Sequence, residues 1–207
     1  MAIYILVSII AYAIGSVNFS IIFSKKFAGF DVREKGSGNA GTTNMLRSVG
    51  KGAAALTLLC DILKGIIAVL VAFWIGKIAN NVKPEILVQL AGFFAIIGHT
   101  FPVYFGFKGG KGVATSLGIL LLANWQIGLI CLVFALVVMA FTRMVSLGSI
   151  MAALLFPVLT IFITEHYIVP GNYIVFGVAL AILVIFNHRS NLKRIYQGQE
   201  NKLSFKK

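Results

Sequence analysis

Ala53-Ala54-Ala55-Leu56-Thr57-Leu58-Leu59-Cys60-Asp61-Ile62-Leu63-Lys64-Gly65-Ile66-Ile67-Ala68-Val69-Leu70-Val71-Ala72-Phe73-Trp74-Ile75-Gly76 decides the fold. Apart from Thr57, Asp61 and Lys64 it is apolar throughout, and it exceeds the roughly 20 residues a helix needs to cross a bilayer. Further apolar runs occupy 3–23, 86–105, 112–123, 127–141, 145–163 and 173–186. Those at 3–23, 86–105 and 145–163 approach or reach spanning length, and the others are short. A mean hydropathy of +0.95 with 12% charged residues lies far outside the range of soluble globular proteins. The pattern predicts an all-α integral membrane protein: a polytopic helical bundle of about seven transmembrane helices, forming a single domain over 1–207.

Charge orients the bundle. Seven crossings with the N-terminus outside put 24–52, the neighbourhood of 106–112, Arg143 and the tail 187–207 on one side. Those regions hold every one of the 18 Lys and Arg except Lys64, Lys77 and Lys83, so the positive-inside rule makes the C-terminus cytoplasmic. Asn124-Trp125-Gln126 reads either as a turn between two short helices or as a polar break in one long helix. Treating 112–141 as one crossing would separate Arg143 from the basic tail, so charge favours the turn. The net charge of +12 falls in short loops between apolar runs, a pattern of membrane topology rather than of nucleic-acid binding. The first 24 residues hold no Lys or Arg, so 3–23 is expected to remain as a span rather than act as a secretory leader. Cys60 and Cys131 sit in apolar runs with neither disulfide nor metal-ligand spacing, and both read as core.

Two polar stretches interrupt this apolar chain. Gly36-Ser37-Gly38-Asn39-Ala40-Gly41-Thr42-Thr43-Asn44 contains no large apolar side chain. Its glycines permit left-handed turns and close approach of a ligand, and its Ser, Thr and Asn residues supply short hydrogen-bonding groups. Arg47 follows, with a planar fork that matches phosphate, and then Lys51. No strand precedes the stretch and the P-loop pattern is missing, which argues against nucleotide hydrolysis. The second stretch, Phe107-Lys108-Gly109-Gly110-Lys111-Gly112, leads into a helix from Val113. There it is expected to offer several backbone N–H groups in a nest, with Lys111 at the helix N-terminus, a setting that favours an anion.

The ionisable groups within the apolar runs need partners. Asp61 and Lys64, three residues apart, share a helix face, and each costs roughly 2.5–3.5 kcal/mol if alone at the bilayer centre. They are expected to pair with each other or with the polar loops. His99 closes an apolar run, where packing is the commoner role. Arg143 and Ser146 open the sixth span, where Ser146 can serve as a helix cap. Asn187 and His188 end the last span, and Leu192 to Tyr196 reads as an amphipathic piece on the membrane surface.

Taken in order, these segments resemble the bacterial acyl-phosphate:glycerol-3-phosphate acyltransferases, the PlsY family, over nearly the whole chain. The resemblance rests on Asp31 and Arg33 before the 36–44 motif with Arg47, on Asp61 with Lys64-Gly65, and on Gly98-His99 to Val103 with 107–115. It continues through Arg143, Ser146, Ser149, His188, Asn191, Arg194, Gly198 and Glu200. Ala40 and Thr42 depart from the usual Pro and Ala, and Gly148 stands where Ser is common. No charged group is lost by these departures.

The resemblance implies transfer of a fatty acyl group from acyl-phosphate to the 1-hydroxyl of glycerol 3-phosphate in the bacterial inner membrane, without cofactor or metal. A soluble enzyme that makes acyl-phosphate is implied as a transient partner. On this view Ser37, Asn39, Thr43, Asn44, Gly109, Gly110, Lys111 and Gly112 hold the acyl-phosphate group. Arg47, Arg143, Ser149, Asn187 and His188 fall to glycerol 3-phosphate, and Gly41, Lys108 and Ser146 complete the substrate-binding set. His99, Lys111 and His188 are the candidate catalytic groups. With no Ser-His-Asp order and no His-x4-Asp box, the expectation leans towards a substrate phosphate as the proton acceptor. The rival reading is an organic-anion or phosphate transporter, disfavoured because the polar groups gather at one face and no repeat is visible. A lipid-binding scaffold would leave the two basic loops unexplained.

Overall fold

The structure, a computed structural model, describes residues 1–165 and 167–203. The last four residues of the basic tail lie outside them. Among the described residues the secondary structure is helical throughout and contains no strand. The chain divides into two compact units, Met1–Ala123 and Asn124–Lys207.

In the first unit, α1 (Ala2–Ser16) and α2 (Phe19–Ala28) are separated by a break at Val17 and Asn18. The Asn18 carboxamide oxygen restarts the helix by accepting from the Ile21 amide at 3.2 Å. Gly29, in the left-handed conformation at φ 73°, ends α2. Short α3 (Thr42–Ser48) then leads to α4 (Lys51–Ile78), whose 28 residues extend about 42 Å at 1.5 Å each. Pro84 opens α5 (Pro84–Thr100), and the chain turns at Pro102 before α6 (Val113–Ala123).

Helices α1 and α5 run parallel: the Lys83 amide donates to the Tyr4 hydroxyl near their starts, and the Tyr12 hydroxyl donates to the Phe101 carbonyl near their ends. Their backbones touch at two glycines, since a Cβ on Gly15 would overlap Ala95 and one on Gly98 would overlap Tyr12 and Ser16. Helices α4 and α6 use the same device, with Gly65 against Thr115 and Gly118 against Ile62. Close approach of small residues replaces the hydrophobic drive that is missing between helices in lipid. At the loop end, Ile21, Val32, Ala40, Met45 and Ala54 form a small apolar core, so Ala40 anchors the first glycine stretch from beneath.

The second unit starts with Asn124, which is extended and caps α7 (Trp125–Thr142) through the Ile127 amide. Residues 112–141 therefore form two helices rather than one long one. Arg143, at φ 61°, ends α7, and α8 (Val145–Phe162) carries Pro157 inside it. Helix α9 (Ile174–Asn187) packs on α8 through Phe176 against Phe156 and Gly177 against Pro157. His188 then starts α10 (Arg189–Tyr196), which bends from α9 by 61°. The amphipathic piece thus begins at Arg189, three residues earlier than the sequence suggests.

Each expected apolar run contains a helix, but five segments are long and apolar enough to cross a membrane: Ala2–Ala28, Lys51–Ile78, Pro84–Phe105, Trp125–Thr142 and Val145–Phe162. A sixth arises if the bent α9–α10 pair is one span, and Val113–Ala123 is shorter than a full crossing. Helix length alone therefore yields five or six crossings, against the seven expected from hydropathy and charge. The glycine contacts give the fold a direct test. Gly118→Val drives a side chain into the Ile62 carbonyl and is expected to cost about 1–3 kcal/mol in thermal unfolding. Gly52→Ala, whose Cβ meets open space, is expected to leave the unfolding temperature unchanged or slightly raised.

Candidate active site

The first glycine stretch is held from within by Asn44. This side chain is 1% exposed, donates to the Val32 and Lys35 carbonyls at 2.9 and 3.0 Å, and accepts from the Ser37 amide at 2.9 Å. Its hydrogen-bonding groups are thus committed to the loop, which Asn44 braces from within. Positive φ angles at Gly36 and Gly38 allow the turn. Gly41 is the N-cap of α3, and a Cβ there would crowd the Asn39 carboxamide nitrogen. Asn39 and Thr43 are half-buried, whereas Ser37 and Arg47 are exposed.

The second stretch departs from the expected nest. The Gly109 and Gly110 amides donate to the Thr100 and His99 carbonyls at 3.0 and 3.1 Å. These amides finish α5 and are closed to a ligand. What the glycines provide is closeness. A Cβ on Gly109 would overlap the His99 carbonyl, and one on Gly110 would overlap both His99 Nε2 and the Ala40 carbonyl. Gly110 therefore lies between the first stretch and the His99 ring. Gly112, at φ 82°, packs on Ile96 and turns the chain into α6. Lys108 is exposed and Lys111 half-buried at that turn. Thr42 Oγ1 within the first stretch, and Thr115 Oγ1 and Ser116 Oγ in the first turn of α6, are buried without a hydrogen bond among the described residues.

Arg33 ties the two stretches together, a role the sequence reading did not assign. Its Nη1 donates to the Phe105 and Lys108 carbonyls at 2.8 and 3.0 Å, while Nε and Nη2 hold both carboxylate oxygens of Asp31 at 3.0 and 2.8 Å. The Arg33 guanidinium, through its hydrogen bonds and charge, holds the Asp31 carboxyl below its ordinary range despite burial. Asp31 in turn raises Arg33 above its ordinary value. The spacing Asp31-Val32-Arg33 was the available signal, but the carbonyls it reaches lie more than seventy residues away.

Beneath the loops, Asp61 and Lys64 do pair, at 3.0 Å. Lys64 also donates to the Gly15 and Val17 carbonyls at 3.0 and 2.7 Å, which are freed by the break between α1 and α2. His99 Nδ1 faces Asp61 Oδ1 at 3.6 Å. The furrow between α1 and α5, about 530 Å³ and lined by Tyr4, Ile9, Tyr12 and Phe94 among others, has no charged wall and no means of holding phosphate.

In the second unit, the polar residues gather around Glu200. Ser146 Oγ and Asn191 Nδ2 donate to one carboxylate oxygen at 2.9 and 2.7 Å, and Arg194 Nε donates to the other at 2.9 Å. Burial pushes the Glu200 carboxyl up, but the three donors outweigh it and hold the group below its ordinary value. Ser146 is therefore a Glu200 partner and not the cap of α8, which falls on Met144. Ser149 donates to Val145 within its own helix at 2.9 Å. His188 Nδ1 lies 2.8 Å from the Val184 carbonyl at the α9–α10 bend, beside buried Asn187. Arg143 is exposed, and its carbonyl accepts from the Leu203 amide at 2.8 Å. Glu200, like Arg33, carried no role in the sequence reading because its three partners come from two separate helices, α8 and α10.

These features define a multi-pass helical membrane protein whose cationic, glycine-rich loops are braced at one end of an apolar bundle. Residues 5–198 match the pattern of the family described as glycerol-3-phosphate acyltransferase. The glycerol-3-phosphate acyltransferase of Clostridioides difficile strain 630 is 42% identical over 208 residues, covering 99% of this chain and 97% of that one. The fold is similar to the crystal structure of PlsY (YgiH), an integral membrane glycerol 3-phosphate acyltransferase, in its glycerol 3-phosphate form. The TM-score there is 0.84 and the identity 33%, with 97% and 96% of the two chains covered. The lysophosphatidic acid form of PlsY matches with a TM-score of 0.82 and 31% identity, covering 97% and 95%. The chain belongs to the glycerol-3-phosphate acyltransferase family, and it is an acyltransferase.

The Arg33 clamp is open to a kinetic test. Arg33→Gln releases the Phe105 and Lys108 carbonyls and is expected to lower kcat/KM about 10–100-fold. Arg33→Lys, which lacks the planar fork, is expected to rescue little of that loss in the same steady-state assay.

Proposed function

We propose that the protein transfers a fatty acyl group from acyl-phosphate to the 1-hydroxyl of glycerol 3-phosphate, giving lysophosphatidic acid and inorganic phosphate, the first acylation of bacterial phospholipid synthesis. The observation that carries this reading is the joining of two basic glycine stretches by Arg33 and by the Gly110–Ala40 contact, at one end of a membrane-embedded unit. Both substrates bear a phosphate, and one bears an alkyl chain that belongs in the bilayer. A cationic site at the end of an apolar bundle suits both. The similar PlsY structures, in a glycerol 3-phosphate form and a lysophosphatidic acid form, agree with this acceptor and product.

The hydroxyl oxygen forms a bond to the acyl carbon, the carbon–oxygen bond to phosphate breaks, and the hydroxyl proton passes to a phosphate. Acyl-phosphate already carries a good leaving group, so alignment and stabilisation of developing negative charge supply most of the acceleration. Ser37, Asn39, Thr43, Lys108 and Lys111 are assigned to the acyl-phosphate group. Asn44, Gly41, Gly109, Gly110 and Gly112 shape the loops that carry them. Arg47, Arg143, Ser149, Asn187 and His188 are assigned to glycerol 3-phosphate, with Ser146 acting through Glu200. His99, at 3% exposure and against Gly110, is better suited to support the loop than to exchange protons with solvent. The proposed location is the inner membrane, with N-terminus outside and the site cytoplasmic, within reach of a soluble enzyme that makes acyl-phosphate.

Purified protein given acyl-phosphate and labelled glycerol 3-phosphate is expected to form labelled lysophosphatidic acid with one phosphate released per ester. Acyl-CoA in place of acyl-phosphate is expected to give none. Absence of an ester with acyl-phosphate, or flux of intact glycerol 3-phosphate across sealed vesicles instead, overturns the proposal. Labelling of single cysteines introduced at Ser37, Lys111 and His188 is expected to report one common compartment.

A further inference from the structure

We propose that Asp61, with Lys64, closes a buried ring of contacts that sets the position of both glycine stretches, so that Asp61 is a positioning residue for phosphate binding. The inference rests on the functional reading above and deepens it. The ring can be traced atom by atom within the first unit. Asp61 pairs with Lys64 at 3.0 Å, and Lys64 Nζ donates to the Val17 carbonyl at 2.7 Å. The next residue, Asn18, reaches the Ala40 carbonyl with Nδ2 at 3.5 Å, on the first stretch. That carbonyl lies against Gly110 of the second stretch, and Gly110 lies against His99 Nε2. His99 Nδ1 returns to Asp61 Oδ1 at 3.6 Å.

Stability alone does not account for this arrangement, because a buried ion pair is often replaceable by apolar residues without loss. Its partners are the informative part. Lys64 spends its donors on Asp61 and on carbonyls at a helix break, which fixes where Asn18 stands. His99 Nδ1 has no hydrogen bond of its own among the described residues, so the Asp61 carboxylate is the charged group that faces it. The tilt of that ring decides how near Gly110 comes to Ala40, and with it the spacing between the two phosphate-binding stretches.

Asp61→Asn leaves the Lys64 ammonium buried without its counter-ion and risks the fold, so the paired variant Asp61→Asn/Lys64→Gln is the main test. In the full-length protein in lipid nanodiscs, the KM for acyl-phosphate is expected to rise about tenfold or more, with the KM for glycerol 3-phosphate within about twofold of wild type. Adding His99→Asn is expected to give little further rise, since the three residues act along one path. Amide hydrogen exchange is expected to quicken in segments 36–44 and 107–112 while α7 and α8 keep their protection. A folded paired variant with both KM values within about twofold of wild type and unchanged exchange in both segments overturns the inference. A rise in the KM for glycerol 3-phosphate instead upholds the ring and overturns the assignment of these loops to acyl-phosphate. If wild type forms no ester at all, the functional reading fails, and the exchange measurement still decides the ring.

Discussion

A backbone carbonyl that leaves a helix within a bilayer has no water to turn to, and the break between α1 and α2 frees two of them. Lys64 supplies the donors for Gly15 and Val17, and Asp61 balances its charge. The break is required because Asn18 must stop one helix and begin the next in order to reach the first glycine stretch. Lys64 thus meets the carbonyls that the bend frees, and Asn18, at the bend, reaches the Ala40 carbonyl of the first stretch. An ionisable pair that looks costly in the sequence is therefore the condition for placing polar loops at the end of an apolar unit.

The second unit solves a related problem with the opposite sign. Glu200, on the tail after α10, is the acceptor that collects Ser146, Asn191 and Arg194 from α8 and α10. In both units a single charged group, 5% exposed or less, is matched by several directed donors or acceptors. That is the arrangement in which a buried charge is tolerated. Arg47, Lys108 and Arg143, by contrast, are exposed cations.

Much of this was legible in the chain. Apolar runs gave the helices, the glycine stretches marked the loops, and the ordered motifs pointed to the family. Asp61 and Lys64 paired as their spacing required. What was hidden depends on contacts between distant residues. Nothing local announces that Arg33 reaches the Phe105 and Lys108 carbonyls, or that Ser146 serves Glu200 rather than capping its helix. The Gly109 and Gly110 amides were misjudged for the same reason. A glycine-rich loop looks like a row of free donors until the carbonyls at the end of the preceding helix claim them. Helices α6 and α9 run only 11 and 14 residues, so helix length alone does not count either as a full crossing, although both lie where the sequence placed an apolar run.

Those two claimed amides also change what kind of object the second stretch is. Joined to the carbonyls of His99 and Thr100, it continues α5 mechanically, and α5 is held along its length by the backbone of α1. A tilt of α5 is therefore also a displacement of Gly110. The segment is thus fastened at two points to the end of a membrane-embedded helix, rather than hung between its neighbours as a slack tether.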